Sequence, residues 1–220
     1  MTRFFDVLFS GLALLVLSPL LVAVAVILKF TGEGDIFYRQ QRVGERGEMF
    51  GLLKFATMLR DSPNMGDGLL TVKGDPRVLP FGRFLRKTKI NELPQLINIF
   101  KGDMSVIGPR PQARPHFEVF PAHVKVQLKT VRPGLSGIGS IVFRDEENIL
   151  ERAPNKERFY ADVIAPYKGE LECWYIARQG VGMYFTLIWL TVVAVLAPSS
   201  NQYRQALKDL PVPPPELSGL

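Results

Sequence analysis

Residues 7–28 read VLFSGLALLVLSPLLVAVAVIL, 22 positions without a charge, bounded by Asp6 and Lys29. Fifteen of them are Leu, Ile, Val or Phe. Those side chains favour insertion into a bilayer by roughly 5–9 kcal/mol before Ser, Gly and Pro are set against them. As a helix the run is about 33 Å long at about 1.5 Å per residue, against a hydrocarbon core about 30 Å thick. It exceeds the apolar region of a secretory signal, and no small-residue cleavage site follows it, so a retained membrane helix is the expectation. Ser18-Pro19 falls near its middle. Proline removes a backbone donor and clashes with the carbonyl four residues back. A neighbouring serine hydroxyl can take up a freed carbonyl, so the pair is predicted to bend the helix. The pattern leaves two topologies open: a bent span, or a bend sharp enough to return both ends to one face. Arg3 precedes the run, whereas Lys29, Arg39, Arg42, Arg46 and Lys54 follow it, which assigns the bulk of the chain to the cytoplasmic side.

Beyond that run the chain is an ordinary folded protein. Of 220 residues, 47% are hydrophobic and 22% charged, enough apolar surface for a core and too much for disorder. Cys173 is the only cysteine, which excludes a disulfide scaffold and a Cys-rich metal site within one chain. His116 and His123 make no HExxH pair, and no Walker A loop, GxGxxG or DxD is present. A second apolar stretch, 181–198, is at the short end for a span, and its early Tyr184 and Trp189 suit an interface. A docked or interfacial helix is expected there. The Pro-rich residues beyond it (Pro211, Pro213, Pro214, Pro215) are expected to be extended or disordered.

Between these lies the polar part. Residues 36–40 read as a strand, 43–47 as a turn and 50–55 as the second strand of a hairpin. Residues 61–68 form a polar loop. From Arg77 to Lys89 there are five basic residues (Arg77, Arg83, Arg86, Lys87, Lys89) and no acidic one. Such a face suits anionic headgroups, and an arginine within it suits a substrate phosphate. Nucleic acid is the weaker partner beside a membrane segment. In Asn91-Glu92-Leu93-Pro94-Gln95-Leu96-Ile97-Asn98-Ile99-Phe100-Lys101, positions 93, 96, 97 and 100 follow helical spacing, with Asn91 as N-cap and Gly102 as the stop. Gly108-Pro109-Arg110-Pro111 is a rigid turn projecting one arginine. Asp145-Glu146-Glu147 reads as a solvated acidic loop, Lys54 as a strand lysine anchored to a phosphate or carboxylate, and Cys173 as a small hydrophobe beside Trp174.

Taken in order, these segments resemble the bacterial sugar transferases, the monotopic phosphoglycosyl transferases. The residues that carry the resemblance are Ser18-Pro19, FYRQQRVG at 37–44, KFATM at 54–58, NELPQL at 91–96, KGDMSVIGPRP at 101–111 and RPGLSG at 132–137. The similarity covers residues 1–140, with a looser C-terminal third. It implies transfer of a sugar 1-phosphate from a UDP-sugar to polyprenol (undecaprenyl) phosphate with release of UMP, using Mg²⁺, at the start of a bacterial surface glycan. It implies a helix that re-enters the membrane at Ser18-Pro19, so that both its ends lie at the cytoplasmic face of the inner membrane. The implied fold is mixed α/β and mainly helical, with interfacial amphipathic helices. Its parts are a re-entrant helix at 1–29, a membrane-associated catalytic domain at 30–198 and a tail at 199–220. Later glycosyltransferases of such a pathway are possible partners.

The family's catalytic Asp-Glu pair, whose Asp takes the phospho-sugar covalently, falls on Asn91-Glu92. An amide is no nucleophile of that kind. Three explanations stay open: a subgroup that uses Glu92 or direct transfer, an inactivated form of an Asp parent, or a scaffold that binds UDP-sugar or lipid without catalysis. By family position Glu92 is the Mg²⁺ ligand, Arg86, Arg110 and Arg132 meet phosphates, and Asp103 is the next carboxylate in a matching motif.

Overall fold

The computed structural model describes residues 2–65, 75–197, 200 and 202–218. It is mostly helical with two small sheets. The chain packs as two compact units, one of Val7–Gln40 and Gly51–Lys101, the other of Met1–Asp6, Gln41–Phe50 and Gly102–Leu220.

The expected membrane run is one uninterrupted helix, α1 (Thr2–Phe30), with Pro19 inside it. Ser18 Oγ donates to Leu15 O at 2.8 Å, the compensation that lets a proline stay within a helix. Leu12, Leu15, Val16, Val22 and Val26 are exposed. A sheath of this kind is what lipid covers, and α1 is long and apolar enough to cross a membrane.

In the unit of residues 7–40 and 51–101, the C-terminal end of α1 supplies the core. Val24 and Leu28 pack with Phe55 and Leu85, flanked by Ile36, Phe81 and Ile90. Strands β1 (Phe37–Val43) and β2 (Met49–Phe55) form the expected hairpin, closed by the 3₁₀ turn Glu45–Gly47. Then come α2 (Pro80–Lys87) and α3 (Gln95–Lys101). The first begins on a proline at its first turn and the second stops at Gly102, whose φ is +104°.

Helix α3 starts four residues later than its spacing predicts. Asn91 is not its cap but sits in a separate 3₁₀ turn, Ile90–Glu92, entered through Lys89 in the left-handed region (φ +60°). The buried positions are Gln95, Leu96, Asn98 and Ile99, whereas Phe100 is exposed. Asn98 accepts from Leu53 N–H and donates to Gly51 O, both at 2.9 Å, so a polar side chain ties α3 to β2.

The other unit is built on β3 (Ser105–Ile107) and β4 (Gly134–Ser136), a parallel pair in the register Ser105 to Gly134 and Ile107 to Ser136. A parallel pair needs a crossover, supplied by α4 (Arg114–Val119) and α5 (Ala122–Leu128). The strands come so close that a Cβ on Gly134 would collide with the backbone of Gly108. After β4 come α6 (Ile138–Val142), α7 (Glu146–Glu151) and α8 (Lys156–Phe159). A π-helical turn, Tyr160–Ile164, then leads into α9 (Ala165–Ala177), α10 (Val181–Leu196) and α11 (Gln202–Ala206). Phe120, Val124 and Ala165 form a core against which Cys173 packs, as the small hydrophobe expected; burial pushes its thiol up to about 11.

Helix α10 is docked along one side only. Tyr184, Leu187 and Leu190 are buried, while Phe185, Trp189, Val192, Val195 and Leu196 are exposed. Among the residues described after it, the Pro-rich part is extended, one of the two expectations, but it is held against the rest of its unit. Leu207 and Leu217 are buried, Tyr167 Oη donates to Pro211 O at 3.0 Å, and Arg178 pairs with Asp209 at 2.8 Å. The prolines make the segment extended, and those two leucines supply the apolar contacts that hold it.

Candidate active site

Arg86, Asn91 and Glu92 lie together in sequence in the unit of residues 7–40 and 51–101. The turn at 90–92 places Asn91 inside, 7% exposed, and Glu92 half-buried. Asn91 Oδ1 and, four residues on, Gln95 Nε2 are buried with no hydrogen-bond partner among the described residues. An unpaired buried donor or acceptor costs about 1–3 kcal/mol. Arg86, in the last turn of α2, is half-buried with Nη1 3.6 Å from Met58 Sδ.

The basic stretch does not form one headgroup-facing surface. Arg77 is buried. It is paired with Asp75 through Nη2–Oδ2 at 2.6 Å, and donates to Ser62 O and Met65 O at 2.9 and 2.7 Å. The guanidinium holds the Asp75 carboxyl down at about 2. Desolvating an arginine is tolerable because both its faces of donors are met. Arg83, Lys87 and Lys89 are exposed beside exposed Phe84, the composition of an interfacial face. Of the polar loop expected at 61–68, residues 66–68 lie outside the described residues.

Asp103, Arg110 and Arg132 belong to the other unit. Asp103 is exposed just after α3. Arg110 is half-buried in the turn after β3, between Pro109 and Pro111. Arg132 pairs at the surface with Glu45, Nε–Oε2 3.4 Å, a geometry that fixes the turn before β4.

In the acidic triplet Asp145 is exposed in a turn, as expected, but Glu146 is not solvated. Glu146 accepts from Lys168 Nζ at 2.6 Å, and Lys168 is buried. One helical turn further along α9, Glu172 is 3% exposed. Burial pushes its carboxyl up to about 7, against the pull of Lys168 and of backbone hydrogen bonds from Gly139 and Arg110. His116, whose ring lies 5.7 Å from that of Tyr160, is lowered chiefly by burial and then by Arg42.

This ordered series of an apolar anchor, a basic helix, an Asn-Glu turn and a Gly-Pro-Arg-Pro turn has a match among known proteins. The bacterial sugar transferase family matches residues 1–198. The chain belongs to this family. It is therefore a transferase. The exopolysaccharide production protein ExoY of Rhizobium meliloti is 33% identical over 76% of the chain and 82% of that protein. ExoY of Sinorhizobium fredii is 38% identical over 68% of the chain and 72% of its own length. The UDP-glucose:undecaprenyl-phosphate glucose-1-phosphate transferase of Klebsiella pneumoniae is 33% identical over 86% of the chain, but only 39% of that longer protein.

In this sugar transferase the residues that sequence reasoning missed are polar and buried: Asp6, Gln95, Asn98, Lys168 and Glu172. Asp6 accepts from Ser105 Oγ, Val106 N–H and Tyr184 Oη, each at 2.9 Å. A carboxylate directly abutting a membrane run was a signal in itself, because a charge there is retained only with partners.

Proposed function

We propose that the chain moves a sugar 1-phosphate from a UDP-sugar to polyprenol phosphate, releasing UMP, at the cytoplasmic face of a bacterial inner membrane. One observation carries this reading. Curated relatives named as UDP-glucose:undecaprenyl-phosphate glucose-1-phosphate transferases align over 85–87% of the chain, so the similarity includes both compact units.

The chemistry fits the residues. A phosphate oxygen of the lipid bonds to the sugar-side phosphorus. The bond from that phosphorus to the bridging oxygen breaks, and UMP leaves with the electron pair. By family position Arg86 and Arg110 are each a guanidinium candidate for a phosphate. Asn91 supplies a neutral oxygen and no nucleophile, so the reading is direct displacement by the lipid phosphate. Mg²⁺ fits the residues present: the Glu92 carboxylate and the buried, unpartnered Asn91 Oδ1 are hard oxygen donors. Among the described residues no cluster of three or more His, Cys, Asp or Glu forms a dedicated metal cage, and Mg²⁺ usually takes few protein ligands beside phosphates. Bound there, it would offset charge on the diphosphate.

Two contacts support the re-entrant topology. The N-terminal end of α1 is held at Asp6 by Ser105, Val106 and Tyr184. The C-terminal end is held at Val24 and Leu28 by Phe55 and Leu85. With each end held by residues outside the apolar run, the proposal places both ends of α1 at one face of the membrane. The exposed apolar face of α10 lies in the interface on this reading. Incubating the protein in lipid nanodiscs with Mg²⁺, undecaprenyl phosphate and a panel of UDP-sugars tests the function. UMP must appear with at least one sugar only when the lipid is present, and Glu92→Gln must reduce it by at least 100-fold. UMP release independent of the lipid contradicts the reading.

A further inference from the structure

A buried carboxylate is expensive, and Glu172 lies on α9 away from every sequence motif that marks the reaction. Through one of its oxygens the carboxylate accepts the backbone N–H groups of Gly139 and Arg110. The approach is so close that a Cβ on residue 139 would collide with Oε1, which only glycine permits. Oε2 has no partner among the described residues. Nearly one turn later on the same helix, Tyr175 Oη donates to Ile107 O at 3.3 Å. Helix α9 therefore grips the end of β3 and the turn after it at Ile107 and Arg110. The flanks of the turn are held by backbone bonds, Gly134 N–H to Pro109 O at 2.8 Å and Val43 N–H to Gln112 O at 2.9 Å, and Gln112 Nε2 donates to Arg110 O at 3.1 Å and Arg42 Nη1 to Pro111 O at 3.3 Å.

We infer that Glu172 is a positioning residue, which sets the direction of the Arg110 guanidinium toward a nucleoside diphosphate by fixing the Arg110 backbone. Burying the carboxylate gains the protein little stability. Its carboxyl is pushed well up by burial despite Lys168 on its own helix, with Glu146 bound to that lysine and Tyr175 one turn on. What the acid supplies is a two-fold acceptor at one point of the backbone. Pro109 and Pro111 on either side of Arg110 limit its φ/ψ freedom, so the anchored N–H determines where the side chain starts. A guanidinium binds phosphate bidentately only in a narrow range of orientations.

The inference rests on the proposed role of Arg110. It is tested by UDP binding, the part shared by all UDP-sugars, measured by calorimetry on the full chain in nanodiscs. Glu172→Leu is expected to weaken UDP about 10-fold and Arg110→Ala about 30-fold. The double variant should be no weaker than Arg110→Ala within 2-fold, because residues acting through one another are non-additive. Glu172→Gln, which keeps one carbonyl acceptor, should recover UDP binding to within about 3-fold of the unaltered chain and have no effect in the Arg110→Ala background. If Glu172→Leu does not fold, Glu172→Gln in the two backgrounds answers the same question. Unchanged UDP binding in a folded Glu172→Leu, or multiplied losses in the double variant, overturns the inference and leaves the proposed function intact. Failure of the unaltered chain to bind UDP, or of Arg110→Ala to weaken it, overturns the reading of Arg110 and the inference together.

Discussion

Asp6 is the residue on which the placement of the first helix turns, and its removal has a calculable cost. One oxygen, Oδ1, accepts from Ser105 Oγ, Val106 N–H and Tyr184 Oη at 2.9 Å each, with the side chain 2% exposed. Hydrogen bonds to a charged group contribute about 1.5–3 kcal/mol each, so three sum to roughly 4–9 kcal/mol. Asp6→Ala also removes the cost of burying the carboxylate and lets the site relax, bringing the net loss to about 3–5 kcal/mol. In a chain of this length 1 kcal/mol shifts the midpoint by about 2–4 °C. Asp6→Ala should therefore lower the unfolding temperature by about 10 °C, followed by circular dichroism in nanodiscs at one fixed scan rate. Tyr184→Phe, which removes a single donor, should lower it by about 2–4 °C. If Asp6→Ala unfolds within 2 °C of the unaltered chain, the N-terminal end of α1 is not held by β3 and α10.

Three further outcomes follow from the same geometry. The Asp75 carboxyl is held at about 2, below its ordinary 3.8, by Arg77, so its contribution to stability is complete above pH 4 and lost as pH falls through about 2. Arg77→Met should flatten the stability–pH curve across that window in acid titrations. Glu172 is shifted the other way, from 4.5 to about 7, so stability declines as pH rises from 4.5 through 7. Glu172→Gln should remove that decline, giving a higher midpoint than the unaltered chain above pH 7 even as it binds UDP slightly less well. In a Cys173→Ala background, Thr2→Cys and Thr31→Cys should both react with a membrane-impermeant maleimide added to one side of sealed vesicles. Labelling of one of them only after permeabilisation would show a straight span.

The sequence was most legible where one residue type decides the outcome. An uncharged 22-residue run makes a lipid-facing helix whatever follows it. The strand–turn–strand pattern of 36–55 needs only local pairing, and Gly102 stops α3 by its backbone alone. Reading failed where a buried polar group answers to a distant partner. Asn98 looks like a solvent position on an amphipathic helix, but its partners are backbone groups at Gly51 and Leu53. Glu146 looks solvated until Lys168, 22 residues away, closes on it. The helical spacing of 91–101 was real but its start was not, because Lys89 takes a left-handed turn and Asn91 goes inward instead of capping. In the candidate site, motif order pointed to Arg86, Glu92 and Arg110. The anchoring of Arg110 by Glu172 was invisible, since 62 positions separate them and neither spacing nor charge pattern links them.

Whether this chain builds a lipid-linked sugar is decided by looking for the product itself. The unaltered chain and its Asn91→Asp variant are incubated in nanodiscs with Mg²⁺, undecaprenyl phosphate and each UDP-sugar in turn, and the lipid extract is analysed by mass spectrometry. The expected result is undecaprenyl diphosphate–sugar from the unaltered chain with at least one donor, in amounts equal to the UMP formed, and a faster reaction from Asn91→Asp. No lipid-linked sugar from either protein, while a competent transferase makes it from the same lipid and donors, would contradict the proposed function.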